Sequence, residues 1–465
     1  MRRALFILPI LLLLSWSPVL CAQEETVNFG RFGRITLYRH SPRPSQVVLF
    51  VSGDGGWNLG VIDMARALSS LDALVVGIDI TSYLKRLARS GDKCSYCAAD
   101  FEALSKFVQK KLDFPHYVQP VLVGYSSGAT LVYATLVQAP PNTFVGAISL
   151  GFCPDLELTK PLCRGNGLEW KPGPRGRGYV FLPATNLQPP WIAFQGAIDQ
   201  VCHAAATDTY VKQVKNGEIV LLPKVGHGFS VQRNWMPQFK ETFTRLVARK
   251  KAEKPISLAA LADLPIVEVN ARGSVSDLMA VMVSGDGGWA GIDREVADVL
   301  AGKGIPVVGL NSLAYFWTKR TPDGSARDLE RILDHYLSRW KKEKAILLGY
   351  SLGADVLPFM ASRLPKELLS RVSLIALLGP ARQVDFEFHL TDWLGGPSEG
   401  KTYPILPELQ KLVGTRLLCL YGEEEKDSLC RDLEPSFAKI VALGGAHHFA
   451  GNYDAIAEAI LRQAN

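Results

Sequence analysis

Short apolar runs punctuate the chain in two successive series, most of them separated by longer stretches of mixed polarity. In the first series the runs fall at 46–53, 73–80, 120–126, 144–152, 191–197 and 218–224. They are nearly free of polar residues, as in "QVVLFVSG" and "ALVVGIDI", rather than alternating polar with apolar. Continuous runs of this length suit strands covered on both faces, the habit of parallel sheets. Between them, 98–113 and 128–138 carry apolar residues at helical spacing. The second series repeats the order at 278–285, 305–312, 345–351, 372–380, 416–424 and 439–445. Strands alternating with helices predict an α/β fold, a mostly parallel sheet flanked by helices, built twice in tandem.

The interruptions set the boundaries. Arg2 and Arg3, an apolar run from Ala4 to Leu14, and small residues at Cys21-Ala22 read as a secretory signal over 1–22. A first domain then covers 23–249, a charged, Pro-bounded linker 250–265, and a second domain 266–465. Stretches at 153–190 and 382–404 read as insertions into the two domains. No run after the leader is long enough to cross a bilayer, so the mature chain is expected to carry no transmembrane segment. Its expected address is outside the cytoplasm, which in a Gram-negative bacterium is the periplasm.

Composition sharpens this only slightly. With 465 residues, 48% of them hydrophobic, the chain can fill two cores. Its net charge of +6 is spread thinly, which suits an anionic membrane surface; without a dense Lys/Arg block, nucleic acid is not an expected partner. Seven cysteines follow the leader, and Cys94/Cys97, Cys153/Cys163 and Cys419/Cys430 are the close pairs that an oxidising compartment would join. An odd number leaves at least one thiol free. "CSYC" has no second pair at zinc-ligand spacing, so no metal is expected.

The chemistry lies in motifs written twice. "VSGDGGW" stands at 51–57 and again at 283–289, and "GYSSGA" (124–129) is matched by "GYSLGA" (349–354). The second pair is G-x-S-x-G directly after an apolar run and before a helical one, the setting of a nucleophile elbow. It nominates Ser126 and Ser351, each at a helix N-terminus that favours developing negative charge. The heptamer follows the strand two before the elbow, where an oxyanion loop belongs; Asp286, Gly287 and the residue after the serine, Leu352 (Ser127 in the first half), are the candidate donors.

Such a serine needs a carboxylate and then a histidine further along the chain. Matching D-x-x-C to D-x-x-C pairs Asp199 with Asp427, and matching H-x-F to H-x-F pairs His227 with His447. His448 competes with His447, and Glu423, Glu424 and Glu425 compete with Asp427. The candidate triads are therefore Ser351, Asp427 and His447, with Ser126, Asp199 and His227 as a second site. Asp286, Asp355, Glu423 and Glu424 would favour a cationic group beside the ester in the second half.

At these residues the chain resembles the VirJ/AcvB family, most specifically in "SGDGGW", "GYSLGAD" and "GGAHHF" of the second half, and the resemblance spans essentially the whole mature chain. It implies α/β-hydrolase-like domains in a periplasmic serine esterase acting on aminoacylated phosphatidylglycerol at the membrane surface, chiefly lysyl-phosphatidylglycerol. It also implies links to virulence and type IV secretion proteins. Carried over, Ser351 is the nucleophile, Asp427 the acid and His447 the base, with no cofactor required. Two other readings compete: a non-catalytic periplasmic binding or scaffold protein for secretion, and a general esterase for soluble substrates.

Overall fold

The computed structural model describes residues 23–252, 261–272, 276–387 and 402–464. The expected signal at 1–22, the linker residues 253–260 and residues 388–401 of the second insertion lie outside the described residues.

Two sheets form, one in each half. The first contains β1 (Gln23–Phe29), β2 (Gly33–Arg39), β3 (Gln46–Val51), β4 (Ala73–Ile78), β5 (Val121–Tyr125), β6 (Gly146–Leu150), β7 (Trp191–Gly196) and β8 (Gly217–Leu222). Their order across the sheet is β1-β2-β4-β3-β5-β6-β7-β8, with β2 alone antiparallel to both neighbours. The second contains β9 (Ile266–Val269), β10 (Leu278–Val283), β11 (Val307–Leu310), β12 (Lys344–Tyr350), β13 (Val372–Leu378), β14 (Leu417–Gly422) and β15 (Lys439–Leu443), ordered β9-β11-β10-β12-β13-β14-β15. It is the same arrangement without a counterpart of β1, and again only the edge strand β9 is antiparallel.

Burial explains the unbroken apolar runs. Along β3, Val47, Leu49 and Val51 join the core on one face of the sheet while Val48 and Phe50 join the core on the other. Along β10, Met279, Val281 and Val283 face one way and Ala280 and Met282 the other. Each sheet is thus a middle layer between two apolar layers, as parallel strands require. All twelve expected strands form. The sequence pattern passed over β1, β2 and β9, the antiparallel strands at one end of each sheet, which carry polar residues such as Glu24, Glu25 and Glu268. The insertion at 153–190 contributes a small antiparallel patch of Asp155–Leu156, Tyr179–Phe181 and Trp170–Pro172. Between the halves, Trp317 Nε1 donates to the Phe114 carbonyl at 2.8 Å and Lys110 Nζ to the Trp317 carbonyl at 2.7 Å. Among the described residues no helix is long and apolar enough to cross a membrane.

Three disulfides form, and two of them correct the expected pairing. Cys419 joins Cys430 as expected, but Cys94 joins Cys163 and Cys153 joins Cys202. The reason is local. Cys97 opens the helix Cys97–Lys111 and turns into the core, whereas backbone bonds tie Ser95 to Pro161 and Cys163 and so lay Cys163 beside Cys94. Cys97 remains free, and burial pushes its thiol up to about 12. In protein lacking residues 1–22, a thiol reagent should therefore find no accessible thiol in the native state and one after unfolding without reductant. Three would contradict the pairing.

Candidate active site

Both serines sit on elbows of the same shape. Ser126 follows β5 and caps the helix α1 (Ser127–Gln138); Ser351 follows β12 and caps α2 (Leu352–Ala361). Their backbones are left-handed, φ 55° and 51°, a strain of about 1–3 kcal/mol that non-glycine residues accept mainly at functional turns. The flanking glycines are steric necessities. A Cβ on Gly124 would lie 2.2 Å from the Gly128 carbonyl oxygen, and one on Gly353 would lie 2.0 Å from that of Val283.

In the first half the three expected residues meet. Ser126 Oγ lies 2.9 Å from His227 Nε2, and His227 Nδ1 lies 2.9 Å from Asp199 Oδ2. The geometry fits a hydroxyl donating to Nε2 and an Nδ1–H donating to the carboxylate. Asp199 is buried, which alone would raise its pKa. Donation from the Cys202 N–H, from His227 and from the Val201 N–H outweighs burial and holds the carboxyl below its usual value. Asp199, His227 and Cys202 lie close enough to suggest a metal site, but the Cys202 sulfur is committed to the disulfide with Cys153 and has no thiolate to offer.

The second half corrects the expected acid. Asp427 is fully exposed, with a side-chain accessibility of 101%, and pairs with Arg382 at 3.8 Å; Glu425, at 14%, lies 2.5 Å from His447 Nδ1. The backbone explains why. Asp199 N–H bonds the Gly196 carbonyl at the end of β7, and Glu425 N–H bonds the Gly422 carbonyl at the end of β14. The acid is the third residue beyond the strand in both halves. Counting from the strand end would have found it, whereas the D-x-x-C match was misled by a two-residue-longer loop before the cysteine. His447 takes the place of His227, each ring lying over a left-handed glycine, Gly379 or Gly151. Its rival His448 turns instead to the Tyr350 hydroxyl, 2.9 Å from Nδ1. Burial and neighbouring His447 lower the pKa of His448, opposed by Asp286 and Glu425. Among the described residues no hydrogen bond joins Ser351 Oγ to His447, in contrast with the first half.

The heptamers lie beside the elbow serines. A Cβ on Gly53 would come within 3.0 Å of Ser126 Cβ, and one on Gly285 within 3.6 Å of Ser351 Cβ. Part of each motif is structural: Trp57 covers Gly77 of β4, and Trp289 covers Gly309 of β11. Among the described residues the N–H groups of Gly287 and Leu352 meet no acceptor. Asp54 accepts from the Ser127 hydroxyl at 2.7 Å.

The acidic residues expected to favour a cationic group do not behave alike. Glu423 and Glu424 are exposed, their N–H groups bonded to Leu443 and Gly445. Asp355 is buried in the first turn of α2 and accepts from the Ala381 N–H at 2.7 Å. Burial pushes its carboxyl up to about 8, the Ala381 N–H opposing and nearby Asp286 adding to the rise. Nearby Asp293, missed in the sequence, is also buried and held well above the usual range by burial. The Asp355 shift has a signed consequence. Between about pH 4 and pH 8 the folded state holds a proton that the unfolded state has lost, so this group's contribution to stability falls as pH rises, by at most about 1.4 kcal/mol per unit. Relative to its value at pH 4, the unfolding free energy of Asp355→Asn should therefore gain on wild type up to pH 8. Parallel urea-melt profiles would contradict it.

Sheet order, elbow and assembled Ser-His-acid groups define an α/β serine hydrolase. The chain belongs to the family of the bacterial virulence protein VirJ, whose profile matches residues 45–147 and 277–465. No curated protein matches it significantly. Similar solved structures include the esterase domain of a Rhodothermus marinus protein, 16% identical, covering 49% of this chain and 98% of that one with a TM-score of 0.33. A Pyrobaculum calidifontis esterase is 17% identical, covering 50% and 86% with a TM-score of 0.35. A Xanthomonas campestris α/β serine hydrolase without a lid is 22% identical, covering 49% and 94% with a TM-score of 0.32.

Proposed function

We propose that the protein is a periplasmic esterase that hydrolyses the aminoacyl ester of aminoacylated phosphatidylglycerol, chiefly lysyl-phosphatidylglycerol, at Ser351 of a C-terminal domain. The observation that carries this reading is the His447–Glu425 pair beside the Ser351 elbow, with Asp286 nearby and the exposed Glu423 and Glu424 on the same loop as Glu425; Asp355, buried and protonated at neutral pH, drops out of the expected ammonium partners. Ser351 Oγ attacks the lysyl carbonyl and its proton passes to His447 Nε2. The N–H groups of Leu352 and of the Asp286-Gly287 turn receive the oxyanion. The ester C–O bond then breaks, and His447 returns the proton to the departing glycerol oxygen of phosphatidylglycerol. Water, deprotonated by His447, releases lysine and restores the serine. The acidic groups suit the two lysyl ammonium groups, and the three disulfides suit an oxidising compartment.

The test is a vesicle panel of lysyl-, alanyl- and unmodified phosphatidylglycerol. The expected result is release of free amino acid with lysyl ester the fastest; release from neither aminoacyl lipid would reject the reading. One observation favours a second reading, a non-catalytic binding protein: Ser351 and His447 are not hydrogen-bonded. Catalytic hydrogen bonds are often loose before substrate binds. A fluorophosphonate probe separates the two, because a binding protein leaves Ser351 unlabelled.

A further inference from the structure

We propose that the N-terminal half carries a second esterase site, built on Ser126, that takes uncharged apolar acyl esters. The two halves share one backbone frame. Ala197 and Ile198 bond through their N–H groups to Leu222 and Val225, as Glu423 and Glu424 bond to Leu443 and Gly445. The frame therefore places Ile198 where the second half has Glu424. One triad mouth is rimmed by hydrocarbon and the other by carboxylate.

The rim extends beyond that position. Ile198 and Val201, on either side of the triad acid, are 64% and 65% exposed, and Val231, four residues past His227, is 45% exposed. Together with Leu221 near the end of β8, these are four of the five large apolar side chains left exposed among the described residues; the fifth, Val413, lies elsewhere. The residue one turn into the elbow helix offers an ammonium no partner in either half, since Asp355 is buried and keeps its proton up to about pH 8. Asp355 of the second half is replaced by Thr130, whose hydroxyl donates to the Cys153 carbonyl at 2.6 Å and adds no charge. Asp54, the nearest heptamer acid, is already engaged by the Ser127 hydroxyl. An ammonium finds no carboxylate at the equivalents of Glu423 and Glu424, which are Ala197 and Ile198, whereas an alkyl chain finds surface to cover.

The step balances without a cofactor. Ser126 Oγ bonds to the acyl carbon as its proton passes to His227; the alcohol leaves with that proton, and water then yields the free carboxylic acid and the serine. Burial of each methylene of the acyl chain is expected to raise kcat/KM by up to about fourfold.

The experiment uses the full chain with p-nitrophenyl acetate and octanoate, alongside lysyl-phosphatidylglycerol vesicles. Ser126→Ala is expected to lower octanoate hydrolysis at least about 10³-fold. Ile198→Glu is expected to lower the octanoate-to-acetate ratio of kcat/KM by about tenfold. In case Ser126→Ala fails to fold, competition by octanoate ester against phosphonate labelling of Ser126 is read in the wild-type protein. Octanoate hydrolysis surviving in folded Ser126→Ala, an unmoved ratio in Ile198→Glu, or labelling of Ser126 indifferent to octanoate overturns the inference. Lysine release, assigned to Ser351, is read separately, so failure of the aminoacyl-lipid reading leaves this result standing.

Discussion

Under the proposed function, Glu425→Gln is expected to lower kcat/KM for lysyl-phosphatidylglycerol by about 10³–10⁴-fold. Asp427→Asn is expected to change it by less than about twofold, because an exposed ion pair contributes little. The difference comes from where the two carboxylates sit. Glu425 Oε2 accepts from the Gly422 N–H at 2.7 Å while Oε1 meets His447 Nδ1, so the side chain is clamped between strand end and imidazole. Glutamine keeps that shape but offers an N–H₂ to Nδ1. It thereby favours the tautomer with its hydrogen on Nε2, which cannot take the serine proton. Steady-state lysine release by the two variants is the check; equal activity in both would return the acid to an open question.

Ser351→Ala removes the nucleophile and should lower kcat for the same ester by about 10⁵-fold or more, leaving only what the oxyanion donors and binding supply. Its stability should stay close to wild type. Alanine carries the same left-handed backbone penalty as Ser351 (φ 51°), and Ser351 Oγ makes no hydrogen bond among the described residues. A large loss of activity with an unchanged melt therefore reads chemistry rather than folding. The missing Ser351–His447 contact gives this variant its force, since a merely structural elbow would show no such loss.

Much of this architecture is legible in the sequence because parallel strands buried on both faces write themselves as unbroken apolar runs. The elbows are legible for a related reason: Gly124, Gly128, Gly349 and Gly353 have no room for a Cβ. The antiparallel strands β1, β2 and β9 at the sheet ends are not, because many of their side chains meet water and polar residues dilute the pattern. The disulfides of Cys94 and Cys153 pair residues 69 and 49 positions apart, and adjacency along the chain says nothing of such closures. The acid at Glu425 was within reach. It lies in the same backbone hydrogen-bond frame as Asp199, but the downstream cysteine, displaced by the longer loop, drew the comparison to Asp427.

Ser351 is proposed to perform the chemistry on the aminoacyl lipid. The most direct measurement titrates the full chain with a fluorophosphonate, maps the labelled serines by peptide mass spectrometry, and follows lysine release from lysyl-phosphatidylglycerol in the same samples. Lysine release is expected to fall in proportion to label on Ser351, whatever the label on Ser126. Undiminished release from protein whose Ser351 is fully labelled would contradict it.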